Sequence, residues 1–380
     1  MNKFFKQFSK LRLVSMFLFT TLVVVVTFYS GNIFPIKYDQ ANDVLEKKEE
    51  KKEIVKKIPP LDTALYDLKM NELANNPVVV AVENTVKTTT STTTTNQAPA
   101  KPVEVKPNLW PVKTVYPNAG AILPFSRVVA YYGNFYSKKM GALGEYPEDE
   151  MLAKLTAEAK KWEEADPNTK VIPAIHYITV TAQGSAGADG KYRLRMPDSQ
   201  IDKALAMAKK VNGIVFLDVQ VALSSLQSEL PPLEKYLKMP EVHLGIDPEF
   251  SMKTGKKPGS VIGSFDAADI NYAAEFLARI VKENNLTPKI LVVHRFTGPM
   301  VTNYKNIKPL PEVQIVIDMD GWGIQARKLN TYREVIYKQP VQFAGFKLFY
   351  KNDFREPNSR ILTPAEVLKL RPKPIYIQYQ

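Results

Sequence analysis

Three short polar pairs with one residue between them recur along the chain: Asp218-Val219-Gln220, Asp247-Pro248-Glu249 and Asp318-Met319-Asp320. In an extended segment residues i and i+2 point to the same side, so each pair presents two polar groups to one face. Each follows directly on an apolar run, where a carboxylate needs a partner or rises in pKa. Asp247 and Glu249 give the sharpest reading. Two carboxyls on one face repel, and the one driven higher can serve as a general acid near neutral pH. Cleavage of a glycosidic bond uses such a set: one acid protonates the leaving oxygen, and a second carboxylate stabilises positive charge or acts as base. Glu249 is read as the acid and Asp247 as the group that tunes it. Asp218 and Asp318 are the candidates for the second carboxylate. One aspartate after a strand is more often a turn or helix cap; three such endings together favour a site.

Other polar groups end apolar runs in the same way and are read as substrate-binding. They are Tyr132 and Asn134, His176 and Tyr177, Gln220, His294, Asp320, Trp322, and Lys347 with Tyr350 in Phe-Lys-Leu-Phe-Tyr. His243 opens its run instead of closing it and is read as structural. The 380 residues contain no cysteine and three histidines, which excludes disulfide scaffolds, thiolate metal sites and cysteine nucleophiles. No H-x-H or H-E-x-x-H spacing is present, and no metal or cofactor is expected. The alternative on the metal side is an oxygen-rich set of Asp218, Asp247, Asp318 and His294 around Mg²⁺, Mn²⁺ or Ca²⁺.

The elements that must position these groups are eight apolar, β-branched runs: 127–132, 171–178, 213–219, 242–247, 290–295, 314–319, 344–350 and 374–379. Amphipathic stripes lie between them, such as Met151, Leu155, Ala159, Trp162 and Ile270, Ala273, Leu277, Ile280. Asp198 and Asp266 stand where helix N-caps are expected. Strict alternation of strand and helix predicts a parallel sheet, and eight repeats over residues 107–380 predict an α/β fold, a (β/α)₈ TIM-like barrel. No full eighth helix follows the last strand; residues 107–126 are expected to cover that gap or the barrel floor. In such barrels the site lies at the C-terminal ends of the strands, where the polar pairs fall. Residues 179–197, with the Asp189-Gly190 turn, read as a hairpin flap over this rim, and residues 250–265 form a second long loop.

The net charge is +12, of which +4 falls on residues 1–106 and +8 on the rest. Lys3, Lys6, Lys10 and Arg12 precede an uncharged run, Leu13–Tyr29. Residues 1–36 are therefore read as a cytoplasmic basic flank and a transmembrane signal anchor. The alternative is a signal peptide that is cleaved and leaves the protein secreted. Residues 37–106, charged and then Thr/Pro-rich, read as a disordered extracytoplasmic stalk, and 107–380 as the barrel domain. No nucleic-acid-binding motif is present, so the expected partners are the membrane and a carbohydrate or cell-wall polymer.

The segments Val128-Val129-Ala130-Tyr131-Tyr132-Gly133-Asn134, Leu217-Asp218-Val219-Gln220, Gly245-Ile246-Asp247-Pro248-Glu249-Phe250, Leu291-Val292-Val293-His294 and Gly345–Tyr350 resemble an uncharacterised family of exported, envelope-anchored bacterial proteins. That resemblance implies a glycoside-hydrolase-like TIM barrel and export. A shorter one is to barrel-type muramidases, whose fourth strand ends in an Asp-x-Glu pair; Asp247 and Glu249 match it. Those enzymes carry an aspartate at the end of strand 1, where this chain has Tyr132-Gly133-Asn134. The function expected is a membrane-tethered hydrolase of a polysaccharide or cell-wall glycan. The alternatives are a non-catalytic glycan- or envelope-binding barrel and a metal-dependent hydrolase.

Overall fold

The computed structural model describes residues 58–77 and 108–380. The expected anchor and most of the expected stalk lie outside the described residues. Among the described residues, no helix is long and apolar enough to cross a membrane; the run Leu13–Tyr29 is not among them.

All eight expected strands form: β1 (Ser126–Gly133), β2 (Lys170–Ala182), β3 (Ile214–Val219), β4 (Val242–Ile246), β5 (Lys289–Arg295), β6 (Val313–Met319), β7 (Phe343–Leu348) and β8 (Tyr376–Tyr379). Each pairs in parallel with the next, and β8 pairs in parallel with β1. The sheet therefore closes into an eight-stranded barrel of the TIM type. A closed parallel sheet is covered on both faces, which is why its strands read as nearly unbroken apolar runs. Strand β4 stops at Ile246, one residue short of the expected end. Pro248 has no N–H to continue the ladder, and Asp247 instead caps a 3₁₀ turn, Pro248–Phe250, by accepting from Glu249 N at 3.0 Å.

Period-two alternation divides the strand residues into two layers. Val129, Tyr131, Ile175, Tyr177, Leu217, Leu244, Ile246, Val293, Ile317, Phe346 and Ile377 face outward, into the core shared with the helices. That outer shell includes α2 (Glu148–Ala165), α3 (Asp198–Lys210), α4 (Ala267–Glu283) and α5 (Gln325–Tyr332). Asp266 caps α4 in a full capping box with Asp269, as expected. Asp198 does not cap α3: it is the first helical residue, and Pro197 occupies the cap position without a side-chain bond. The lower bore is filled by inward-facing Val128, Ala130, Ala174, Ile214, Phe216, Ile290, Val292, Val316, Phe343 and Tyr376.

Residues 108–125 lie against the floor, as expected, but they share it with a helix that the sequence reading placed in the stalk. Helix α1 (Thr63–Ala74) seats Tyr66 and Met70 in the same cluster as Leu123, Phe343 and Ile375. Its C-cap residue Asn75 donates to Leu370 O at 2.9 Å, and Lys373 N donates to Leu73 O at 2.7 Å. The hairpin flap also forms. Val180–Ala182 pair antiparallel with Arg193–Arg195, and the buried Glu229 carboxylate fastens the flap through Arg193 at 2.8 Å and Arg195 at 2.7 Å.

Candidate active site

Above the apolar bore the inward positions become polar, in two tiers. The lower tier holds His176, Asp218, His294 and Asp318, all fully buried. Two inward positions at this height, Gly245 and Gly345, carry no side chain. A Cβ on Gly245 would come within 2.5 Å of His176 Nε2 and Asp218 Oδ1, and one on Gly345 within 2.6 Å of Asp318 Oδ1. The room these glycines leave is what lets four polar side chains share one layer of the barrel.

Asp218 is the hub of that tier. Its Oδ1 lies 3.1 Å from His176 Nε2 and 3.2 Å from His294 Nε2, and its Oδ2 accepts from the Tyr132 hydroxyl at 3.0 Å. Burial alone would raise its pKa, but the charge of His294 and the two histidine hydrogen bonds outweigh burial and hold it well below the usual carboxylate range. Burial also disfavours a charge on His294; Asp218, with Asp318 and Asp320 beyond, overrides this and pushes it well up. His176 is left neutral, its pKa pushed down to about 4 by burial. Its Nδ1 meets the Tyr376 hydroxyl at 2.5 Å and Gln378 Nε2 at 3.1 Å.

The upper tier opens into a cleft of about 580 Å³ at the C-terminal ends of the strands. Tyr132, Gln220, Asp247, Glu249, Asp320, Trp322 and Lys347 all line it. Gln220 ties three parts of the rim together: its Nε2 donates to Asp247 Oδ2 and to the Tyr132 hydroxyl, each at 3.3 Å, and its Oε1 accepts from Ala182 N at the base of the flap. The Lys347 ammonium sits 3.1 Å from Asp320 Oδ1 and 3.9 Å from the centroid of the Tyr132 ring. Burial pushes Asp247 well above its usual range, against the pull of His294. Glu249 is pushed up to about 7 by burial and the neighbouring Asp320 charge, with Lys347 and His294 opposing. Asp320 is itself raised by burial, against Lys347 and His294.

Several expected site residues fall elsewhere. Asp218 and Asp318 do not line the cleft; they lie beneath it, as do His176 and His294. Tyr177 and Tyr350 face outward, because each is one residue out of phase with an inward neighbour. Tyr177 stacks on Phe135 at 4.6 Å, and Tyr350 stacks on Tyr379 at 5.2 Å while its hydroxyl meets that of Tyr131 at 2.8 Å. Asn134 shapes a turn, donating to Ile178 O at 3.0 Å and accepting from Tyr136 N at 2.9 Å. His243, read as structural, accepts from Ile290 N deep in the bore at 3.0 Å. The sequence reading missed Phe296, Phe349 and Gln380, which line the cleft two residues beyond His294, Lys347 and Gln378. Extending the period-two face past each strand end would have found them. Lys139, Arg327 and Asn352 also line it, from loops and a helix whose approach no local spacing signals.

No protein-family model matches the chain, and no curated protein matches it. Solved structures similar to it include a trimodular GH5_4 subfamily endoglucanase, at 10% identity and a TM-score of 0.36 over 68% of this chain and 56% of that one. Two others are GH5-4 broad-specificity endoglucanases. The one from an uncultured bacterium has 6% identity and a TM-score of 0.29 over 58% of this chain and 77% of that one. The one from an uncultured bovine rumen ciliate has 10% identity and a TM-score of 0.30 over 54% of this chain and 72% of that one.

Proposed function

We propose that this chain hydrolyses a glycosidic bond of a polysaccharide or cell-wall glycan, with Glu249 as the proton donor. The observation that carries this reading is a carboxyl in the barrel-mouth cleft whose pKa is pushed up to about 7, beside the second carboxyl of Asp320. A general acid works best when its pKa lies near the operating pH. The second carboxylate in this reading is Asp320, because Asp218 and Asp318 are sealed beneath the cleft. Asp247 holds the turn that presents Glu249, through its bond to Glu249 N. Trp322, Phe250 and Phe296 supply apolar faces on which sugar rings stack. The proposal extends to a tether: the basic flank and the Leu13–Tyr29 run support an anchor that holds the barrel outside the cytoplasm.

The test is release of reducing ends from peptidoglycan and a panel of soluble glycans by the full chain, beside Glu249→Gln. Release by the wild type and a loss of about 10²–10⁴-fold in the variant are expected. No release across the panel, or equal release by both, overturns the reading. Saturable binding to insoluble wall without turnover points instead to a glycan-binding barrel. That second reading is favoured by the burial of Asp218 and Asp318 in internal contacts, which leaves the cleft with fewer free carboxylates than the sequence promised.

A further inference from the structure

We propose that His176, Asp218 and His294 form a binding site for a first-row divalent transition-metal ion, set in the bore directly beneath the cleft. The three residues come from β2, β3 and β5, and His176 Nε2, Asp218 Oδ1 and His294 Nε2 all lie within 4.8 Å of one another. The separations from Asp218 Oδ1 to the two nitrogens are 3.1 and 3.2 Å. An ion at about 2.0–2.2 Å from each donor, the usual metal–nitrogen and metal–oxygen length, spaces its ligands by about 3.0–3.5 Å. Both imidazole nitrogens therefore stand at ligand spacing from the carboxylate oxygen.

The far side of each imidazole supports the same assignment. A metal-binding histidine presents one nitrogen to the ion and donates from the other to a fixed acceptor. His294 Nδ1 faces Asp318 Oδ2 and Asp320 Oδ2, each at 3.4 Å. His176 Nδ1 faces the end of Gln378, whose Oε1 is buried without a partner. With the Tyr376 hydroxyl, 2.5 Å away, accepting the Nδ1 proton, the Nε2 lone pair is freed. Both imidazoles then direct lone pairs toward the carboxylate oxygen of Asp218, an arrangement that a bound cation satisfies.

The surroundings add a second, independent observation. Asp318 is fully buried and neither of its carboxylate oxygens has a hydrogen-bond partner, and His294 Nδ1 beside it also lacks one. Buried polar atoms left without a partner cost free energy. An ion on the other nitrogen of His294 would strengthen the Nδ1–H as a donor to Asp318. Gly245 keeps the space beside His176 Nε2 and Asp218 Oδ1 free of a side chain. Two imidazoles and one carboxylate suit Zn²⁺, Co²⁺, Mn²⁺ or Fe²⁺; Mg²⁺ and Ca²⁺ prefer all-oxygen sets.

The inference does not depend on the glycosidic reading, and its test reads metal directly. The full chain is stripped with chelator, dialysed and titrated with Co²⁺ while its visible absorption is followed. Expected is one saturating equivalent with a d–d spectrum, displaced by Zn²⁺, and a melting temperature that rises with stoichiometric Zn²⁺. The double variant Asp218→Asn/His294→Gln should lose the spectrum; His176→Gln, which keeps two ligands, should weaken Co²⁺ binding by about 10–100-fold or more. Absence of saturable binding and of any thermal shift with Co²⁺, Zn²⁺ and Mn²⁺ overturns the site. So does a spectrum that survives in the folded double variant, since the ion is then held at the surface. If both variants fail to fold, the wild-type titration alone decides. Metal binding without glycan release leaves this site standing and removes the hydrolase reading; glycan release without metal binding does the reverse.

Discussion

Gly245 lies against His176 so closely that a single added methyl group would reach 2.4 Å from the imidazole Nε2. The same methyl would reach 2.5 Å from Asp218 Oδ1. Neither neighbour can retreat: His176 is locked by Tyr376 and Gln378, and Asp218 by Tyr132 and His294. Gly245→Ala should therefore cost about 1–3 kcal/mol through overpacking. Denaturant unfolding of the two proteins measures it. A change below about 0.5 kcal/mol would show that the polar tier is loosely packed and that the glycine is incidental.

Glu249 has a folded-state pKa of about 7 against an ordinary value of 4.5. In this window the native state holds a proton that the unfolded chain has released. Stability carried by this group is thus full below about pH 4.5 and falls as pH rises toward 7. Glu249→Gln cannot lose that proton, so the variant should gain stability relative to wild type at pH 8 and lose the advantage near pH 4. The same titration predicts an alkaline limb near pH 7 in kcat/KM for glycan release, because the acid must be protonated to act. Urea midpoints across this range, with the rate profile, check both. A stability difference that does not vary with pH would place Glu249 in solvent.

Period-two spacing carried much of this site. The alternation that makes Asp218 and Gln220, or Asp318 and Asp320, share a face is a local property of an extended chain, and it is legible in the residues themselves. Burial is not. Asp218 and Asp318 sit one tier below Gln220 and Asp320 because each comes two residues earlier on its strand; that this lower tier is sealed depends on strand stagger around the closed barrel, a long-range property. Phase errors of one residue put Tyr177 and Tyr350 on the wrong face. Asp247 and Glu249 do reach the same cleft, but through a proline-initiated 3₁₀ turn and not through strand geometry. The convergence of His176, Asp218 and His294 at the strand ends was expected, but nothing in their spacing tells that β2, β3 and β5 bring them within 4.8 Å of one another.

Lys347 and Asp320 form an ion pair whose side chains are only 2% and 9% exposed. Removing one partner strands the other in a poorly solvated place. Lys347→Met should cost about 3–5 kcal/mol, and the double variant Lys347→Met/Asp320→Asn should recover more than about 1 kcal/mol of it. The coupling comes from a double-mutant cycle by denaturant unfolding. Additive losses would mean that the ammonium is held by its contact with the Tyr132 ring and not by Asp320.

The floor helix α1 makes a prediction about where the folded unit begins. Apolar residues fall on every side of it, with Leu65 and Leu68 exposed, and only Tyr66, Met70 and Ala74 are buried, at i, i+4 and i+8. One narrow stripe between charged and Thr/Pro-rich stretches is a weak signal, which is why the helix was read as stalk. Its contacts are nonetheless specific. The Tyr66 ring meets Tyr116 and Phe125 edge-on at 5.6 and 6.2 Å, and Met70 packs beneath Phe343 and Ile375 in the cluster that closes the bore. Asn76 donates to Trp110 O at 2.7 Å and accepts from Arg371 at 3.0 Å, so the end of the helix is pinned from two directions. Met70→Ala should cost about 2–3 kcal/mol, in line with a buried methionine that leaves a cavity. A chain begun at residue 107 should melt several degrees below one begun at residue 58, since it exposes the apolar floor around Leu123 and Phe343. Equal melting temperatures for the two chains would show that the floor is sealed by residues 108–125 alone, and that α1 only rests on it.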